Sequence, residues 1–355
     1  MIRAAVAGVA AAAVACGSPA APPASRDTGS APSPPPPDAA PPPPPDAPGP
    51  RLLVMTEPEV ALPSQESFRL LDPGKGARVA LRYGTAAGTA AVVARTSLTS
   101  RRLDRGTFSP PVALPAVHDG FAITIAAEHP GQLALRGLTA TAAAASGDAD
   151  TNADAYLAAW RALLQDRRVT VDVDARGAIG AIRFDDDPTG ARGAQGRDEL
   201  VQRLLSLIVP LPAEPVAPGA RWRVVTVLRQ GPAVAKQTAT YTLIGRTATA
   251  WKLHVQLHRV GEPQRIADPS LPAGTTAELV ALFRALEGDV DVDPALPLII
   301  GGSLAIESRL HARLAPRGGS PVDQMFEDTG RVSLVRCRPA KAAAAAGDCP
   351  DGFSR

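Results

Sequence analysis

An alternation of period two constrains this chain more than any other feature. In WKLHVQL, Trp251, Leu253, Val255 and Leu257 alternate with Lys252, His254 and Gln256. Successive side chains of a strand point to opposite faces, so such a stretch has one dry and one wet face. The same pattern runs through ARVALRY (Val79, Leu81, Tyr83), FAITI (Phe121, Ile123, Ile125) and SLAIESRLHARL (Leu304, Ile306, Leu310, Ala312, Leu314). Half-buried antiparallel strands satisfy it. RVTVDVDARGAIGAIRF adds a hairpin. Val169, Val171 and Val173 lead out, Gly177 supplies the positive φ of the turn, and Ile179 and Ile182 return.

Helical periodicity interrupts the strands in three places. TNADAYLAAWRALLQ starts at a Thr151 cap and carries a stripe of Leu157, Trp160, Leu163 and Leu164. GRDELVQRLLSLIVP carries Leu200, Leu204, Leu207 and Ile208 and ends at Pro210. TTAELVALFRALEG opens with Thr275 and Glu278 as a capping box, aligns Leu279, Leu282, Phe283 and Leu286, and stops at Gly288. Helices and strands do not alternate regularly, which excludes a doubly wound parallel sheet. The expected fold is α+β: a mainly antiparallel, curled β-sheet packed on two or three helices. The globular part is expected over residues 51–337, as one body or two subdomains meeting near 190–220, followed by a flexible tail at 338–355. GARV at Gly76 and GARW at Gly219 both open strands after a glycine-containing loop, a hint of internal duplication. Aromatics are only 4% of the chain against 45% hydrophobic residues, so Leu, Val, Ile and Ala must build the core.

The net charge is +2, and the arginines stand singly or in pairs without interleaved aromatics. That pattern excludes a nucleic-acid footprint.

The first residues read MIRAAVAGVAAAAVACGSP. Arg3 precedes an apolar stretch over residues 4–15, shorter than the roughly 20 residues that cross a bilayer. Ala13-Val14-Ala15-Cys16 resembles the lipobox of bacterial lipoproteins, with Ala13 where Leu is usual. The resemblance implies a lipoprotein signal peptide at 1–15 and a diacylglycerol on the sulfur of Cys16, with its freed amine acylated as well. Two or more acyl chains give stable anchoring. Gly17 follows the cysteine, the pattern associated with the outer membrane. The alternative is an ordinary secretory signal with Cys16 incidental. Residues 17–50 are Pro/Ala/Ser-rich and cannot bury enough surface to fold. As a polyproline II tether they would reach roughly 100 Å at about 3.1 Å per residue.

Three cysteines occur, and with Cys16 lipidated, Cys337 and Cys349 are left to pair in an oxidising envelope compartment. Closing the CRPAKAAAAAGDC loop is worth about 3 kcal/mol in the chain-entropy picture.

Chemistry is harder to find. No G-x-S-x-G elbow exists; GGSLA around Ser303 lacks the second glycine and leads into a strand, so Ser303 reads as structural. Gly190, Gly193 and Gly196 precede a helix without the spacing or lysine of a phosphate loop. His254 and His258 have zinc-site spacing, but in a strand four residues cover about 13 Å, too far to share an ion. The other histidines, His118, His129 and His311, stand alone. Asp185-Asp186-Asp187 and the alternating Asp289, Asp291 and Asp293 are acidic enough to attract calcium. The second set has Pro294 where an EF-hand loop needs glycine, and Ile300 where it needs glutamate. The reading is of no catalytic residue, no metal and no cofactor.

PLPAEPVAPGARWRVV resembles a segment that recurs in uncharacterised bacterial lipoproteins, several from myxobacteria. The matching residues are Leu211-Pro212, Pro215-Val216 and Gly219 to Trp222, and the ARGAIGAIRF hairpin fits the same pattern. The resemblance spans residues 75–335 and implies no activity. The expected function is that of a non-enzymatic envelope lipoprotein, held to the membrane by its lipid anchor and binding an apolar ligand or a protein partner. A structural or assembly lipoprotein of the outer envelope is the alternative, and an enzyme with a dispersed site comes third.

Overall fold

The computed structural model describes residues 64–84, 87–104, 107–114, 116–125, 131–137, 141–143, 168–184, 201, 205–230, 233–247, 249–266, 271, 274–339, 349 and 353–354. These form β1 (Ser64–Asp72), β2 (Gly88–Asp104), β3 (Thr107–Phe108), β4 (Val112–Ala113), β5 (Ala116–Ile125), β6 (Gln132–Gly137), β7 (Thr141–Ala143), β8 (Arg168–Val173) and β9 (Ile179–Phe184). The second half adds β10 (Arg221–Gln230), β11 (Ala233–Arg246), β12 (Trp251–Gly261), β13 (Gln264–Ile266), β14 (Thr276–Asp293), β15 (Leu298–Ala315), β16 (Val322–Pro339) and β17 (Phe353–Ser354).

All the pairings are antiparallel, in the spatial order β1, β10, β11, β12, β14, β15, β16, β2, β5, β6, β8, β9. The short strands extend this path. β13 continues β12 along β14, β3 and β4 continue β5 along β2, β7 shares β5 with β6, and β17 pairs with the end of β16. Strands from both sides of residues 190–220 therefore share one sheet, joined where β1 meets β10 and where β16 meets β2.

The sheet rolls because one face of nearly every strand is apolar. Val92, Ile123, Leu135, Val171, Trp222, Leu243, Leu253 and Leu334 come from eight different strands and join one buried cluster. An extended segment at residues 79–84 clasps the roll. Val79 and Val216 exchange both backbone hydrogen bonds, at 2.9 and 2.8 Å. Further along, Tyr83 N donates to Ala175 O at 2.8 Å, in the β8–β9 turn. The two glycine-containing GAR segments thus face each other, since Val79 follows one and Val216 precedes the other.

The hairpin turn is built as its sequence suggests. Asp174 Oδ1 accepts from Arg176 N and Ala178 N at 2.7 and 2.8 Å, and Gly177 has φ of 76°. A Cβ at Gly177 would stand 2.7 Å from Val209 O, so only glycine lets the turn pack under residues 207–211. Gly219, with φ of 84°, turns the chain into β10 and delivers Trp222 to the core. Trp222 is 0% exposed, donates from Nε1 to Pro210 O at 2.8 Å and stacks on Tyr241 at 5.6 Å between centroids.

The fold is nearly all antiparallel sheet, which corrects the α+β expectation. TTAELVALFRALEG is not a helix but the start of β14. The reason is a β-bulge between Leu279 and Ala281. Before it Ala277 and Leu279 face inward; after it Leu282, Arg284 and Leu286 do. One extra residue on one side of the ladder thus places Leu279 and Leu282 on the same face at a three-residue spacing. The spacing imitates a helix, while pairing on both edges, to β12 and β13 and to β15, decides for strand. Of GRDELVQRLLSLIVP, Val201 and residues 205–207 are helical, and Leu207, Ile208 and Val209 are buried. TNADAYLAAWRALLQ lies outside the described residues.

Candidate functional site

On the inner face, register aligns residues into rows that cross the strands. One row reads Val224, Ala239, Leu257, Leu286, Ile306, Gly330 and Leu98 and is apolar throughout. Two residues further along every strand, the row is Thr226, Gln237, Arg259, Arg284, Ser308, Asp328 and Ser100, polar throughout. Beyond it Leu228, Ala235, Leu282, Leu310 and Phe326 form a second, smaller apolar cluster. A polar belt therefore crosses the inside of the roll between two apolar zones.

The belt is internally bonded. Arg259 is 6% exposed and donates from Nη2 and Nε to Gln237 Oε1 at 2.6 and 3.2 Å. Ser308 Oγ donates to Asp328 Oδ2 at 3.1 Å. In the next row the Arg102 guanidinium lies 5.7 Å from the Phe326 ring centre. Deeper in the main core, Arg336 pairs with buried Asp293, whose other oxygen accepts from Ala295 N at 2.7 Å. Tyr83 OH donates to Val209 O at 2.9 Å, and burial, aided by nearby Tyr241, pushes its phenol well above the ordinary range.

The outer face carries most of the residues singled out from sequence. His254 and His258 lie on β12, a strand, as the alternation indicated. His254 Nδ1 is 2.9 Å from Asp289 Oδ1, and its Nε2 is 3.4 Å from Glu287 Oε1. A hydrogen bond from Gln256, with a smaller contribution from His254, holds the Glu287 carboxyl below its ordinary value. Ser303 is the cross-strand neighbour of Asp289, which is itself the neighbour of His254. Serine, carboxylate and imidazole therefore stand in one row, but with the carboxylate in the middle. Two strand spacings, about 10 Å, separate the base from the hydroxyl, so this row cannot activate a nucleophile. Ser303 Oγ instead accepts from Arg331 Nη1 at 3.3 Å.

His311 meets Asp323 at 3.2 Å, and Arg313, bonded to the same carboxylate at 2.9 Å, holds Asp323 below its ordinary value. Asp289 and Asp291 sit in β14, while Asp293 is taken by Arg336. Among the described residues no group of three or more His, Cys, Asp or Glu could hold a metal ion. Cys16, His129, Asp185-Asp186-Asp187 and Gly190, Gly193 and Gly196 lie outside the described residues.

Cys337 and Cys349 form a disulfide, with Cα atoms 5.8 Å apart. Cys337 is wholly buried and packs with Ala91 and Val93 on the outer face, with Cys349 against them. Of the segment after Pro339, the described residues are Cys349 and Phe353–Ser354, and both attach to β16. Sequence reasoning missed the polar belt, because each member looks like one polar residue in an apolar strand until register is known.

No protein-family model matches the chain, and no curated protein matches it either. Among solved structures it is similar to the crystal structure of Pseudomonas aeruginosa OccK11 (OpdR), at 9% identity over 73% of this chain and 100% of that chain, with a TM-score of 0.19. A likeness of that size carries no argument about fold or function.

Proposed function

We propose that this protein is a non-enzymatic lipoprotein of the cell envelope that binds an apolar ligand or a protein partner against its rolled sheet. The carrying observation is the inner face, where apolar rows flank a belt of hydrogen-bonding groups. That pattern suits an amphipathic chain laid across the strands where the inner face is half-buried, its apolar parts at Leu98, Leu286 and Phe326 and its polar part at Thr226, Ser100 and Asp328. The Cys337–Cys349 bridge supports an oxidising compartment. The lipobox-like AVAC supports anchoring at Cys16, with the Pro-rich stretch as spacer. The titratable groups of the outer face support a binding role over a catalytic one, since they are arranged as cross-strand ion pairs and not as a convergent site.

Mass spectrometry of an organic extract of the protein purified from membranes, with a search for co-purifying chains, tests the binding reading. A bound amphiphile or a stoichiometric partner is expected, and finding neither overturns it. Fatty-acid labelling of Cys16→Ser tests the anchor. Loss of label and release from membranes are expected, and persistent label sinks the lipoprotein assignment.

A further inference from the structure

On the outer face of β2, β5, β6 and β8 lies an open groove of about 370 Å³. Arg136 on β6 and Arg168 on β8 stand directly opposite each other along it. Like charges in that position repel and destabilise the pair, with Cβ atoms about 5 Å apart. Both side chains are exposed, and among the described residues neither has a hydrogen-bond or ion-pair partner. The contrast on the same face is Arg183, whose two terminal nitrogens are taken by Asp172 at 3.0 and 2.8 Å. Asp172 is four residues along β8 from Arg168, about 13 Å away, beyond the Debye length of about 8 Å at physiological salt. It does not neutralise the Arg136–Arg168 pair.

The rest of the groove is small and polar. Thr89 and Thr124 are cross-strand neighbours whose hydroxyls lie 3.4 Å apart, and Ala134 beside them leaves open space. We propose that this groove binds a phosphate-bearing group held between the forks of Arg136 and Arg168. A phosphate can give each fork its own oxygens and carries up to two negative charges against the two guanidinium charges, whereas a carboxylate carries one charge and must share two oxygens between both forks. The volume falls within the range of small-molecule sites, about 300–1,000 Å³, so the body of the ligand has room over Thr89, Thr124 and Ala134. The assignment is independent of what occupies the inner face. The phosphate could belong to a soluble ester or to a phospholipid headgroup, and the chemistry of the forks is the same for both.

The test uses the full chain carrying Cys16→Ser, so that no acyl chain of its own enters a vesicle. Binding is measured to inorganic phosphate by calorimetry, and to vesicles of phosphatidylglycerol in phosphatidylcholine by co-sedimentation, with pure phosphatidylcholine as the reference. Each charge-assisted fork contributes enough that Arg136→Gln/Arg168→Gln should weaken binding at least about tenfold. Arg183→Gln, whose guanidinium is already occupied, should leave it unchanged. Retention of inorganic phosphate without vesicle binding supports a soluble ester. Binding confined to phosphatidylglycerol vesicles, and lost in the double variant, supports a headgroup. Circular dichroism checks the fold, and the two single variants, each expected to weaken binding, replace the double variant if it does not melt cooperatively. No binding to either probe, or equal binding by parent and double variant, overturns the proposal.

Discussion

At the clasped end of the roll, Tyr83, Trp222, Tyr241 and Trp251 pack against one another, and backbone bonds from residues 79–84 hold distant strands together. At the far end of the same strands, beyond the polar belt, the inner face carries a smaller cluster of Leu228, Ala233, Ala235, Leu279, Leu282 and Leu310, with half-buried Ile266 and Phe326 against it. There the outer face carries exposed ion pairs such as Arg313–Asp323 and Arg309–Glu307. One end rests on aromatic burial, with Trp222 Nε1 and Tyr83 OH bonded to backbone carbonyls. The other rests on a thin aliphatic layer and charges in water. Exposed ion pairs contribute little, roughly 0–1 kcal/mol each, so the far end should open first.

Removing Trp222 should produce the largest effect. Trp222→Ala deletes a fully buried ring and leaves Pro210 O without its donor, for a loss of about 4 kcal/mol in denaturant unfolding. Leu282→Ala, in the thin cluster, should cost about 2–3 kcal/mol and fall mainly on local opening. Hydrogen exchange checks this: amides of β14 and β15 near Leu282 and Leu310 should lose protection while those around Trp222 keep theirs. Equal loss everywhere would merge the two regions into one cooperative unit. Tyr83→Phe keeps the ring and strands the Val209 carbonyl, costing about 1–2 kcal/mol at the clasped end.

Acid should act on the outer-face carboxylate pairs and leave the buried phenol of Tyr83 untouched. The Asp323 carboxyl is held below its ordinary value of 3.8 when folded. Its contribution is therefore fully present above about pH 4 and is lost as pH falls through the lower folded value. Tyr83 titrates far above that window. Melting between pH 7 and pH 3 should show stability falling as these carboxylates protonate, with Asp323→Asn removing the far end's share and Asp172→Asn that of the Arg183 pair beside the clasped turn.

The amount of this architecture readable along the chain depended on where the bulges and polar rows fell. β12, β5 and the β8–β9 hairpin alternate cleanly over Trp251 to Leu257, Phe121 to Ile125 and Val169 to Val173, where the inner positions are apolar; inward Arg259 and Asp119 lie outside those runs. β14 misleads because its bulge turns a two-residue period into a three-residue step between Leu279 and Leu282, in a stretch rich in good helix formers. β16 gave no strand signal of its own. Its inner face carries Gln324, Phe326, Asp328, Gly330, Val332 and Leu334, and the polar belt cuts the alternation in two. The disulfide was legible from cysteine arithmetic, and Gly177 from turn chemistry. The Arg136–Arg168 apposition was not, because it exists only once β6 and β8 pair in register.

The pairing of β16 with β2 brings Cys337 beside Ala91, joining the last long strand to one of the first. A ribosome delivers β2 long before β16 exists. Until then β2 has a partner on one side only, and its other edge offers a row of free amides and carbonyls to any passing strand. Pairings between positions so distant in sequence form slowly, because the loop entropy must be spent before the contact returns it. The nascent chain must therefore be kept apart from its own copies until β16, in about the last tenth of the chain, emerges. A truncation before Val322 would leave not a smaller version of this sheet but a ladder cut in its middle, with β15 and β2 as bare edges and the two parts held by the β1–β10 pair and the Val79–Val216 clasp.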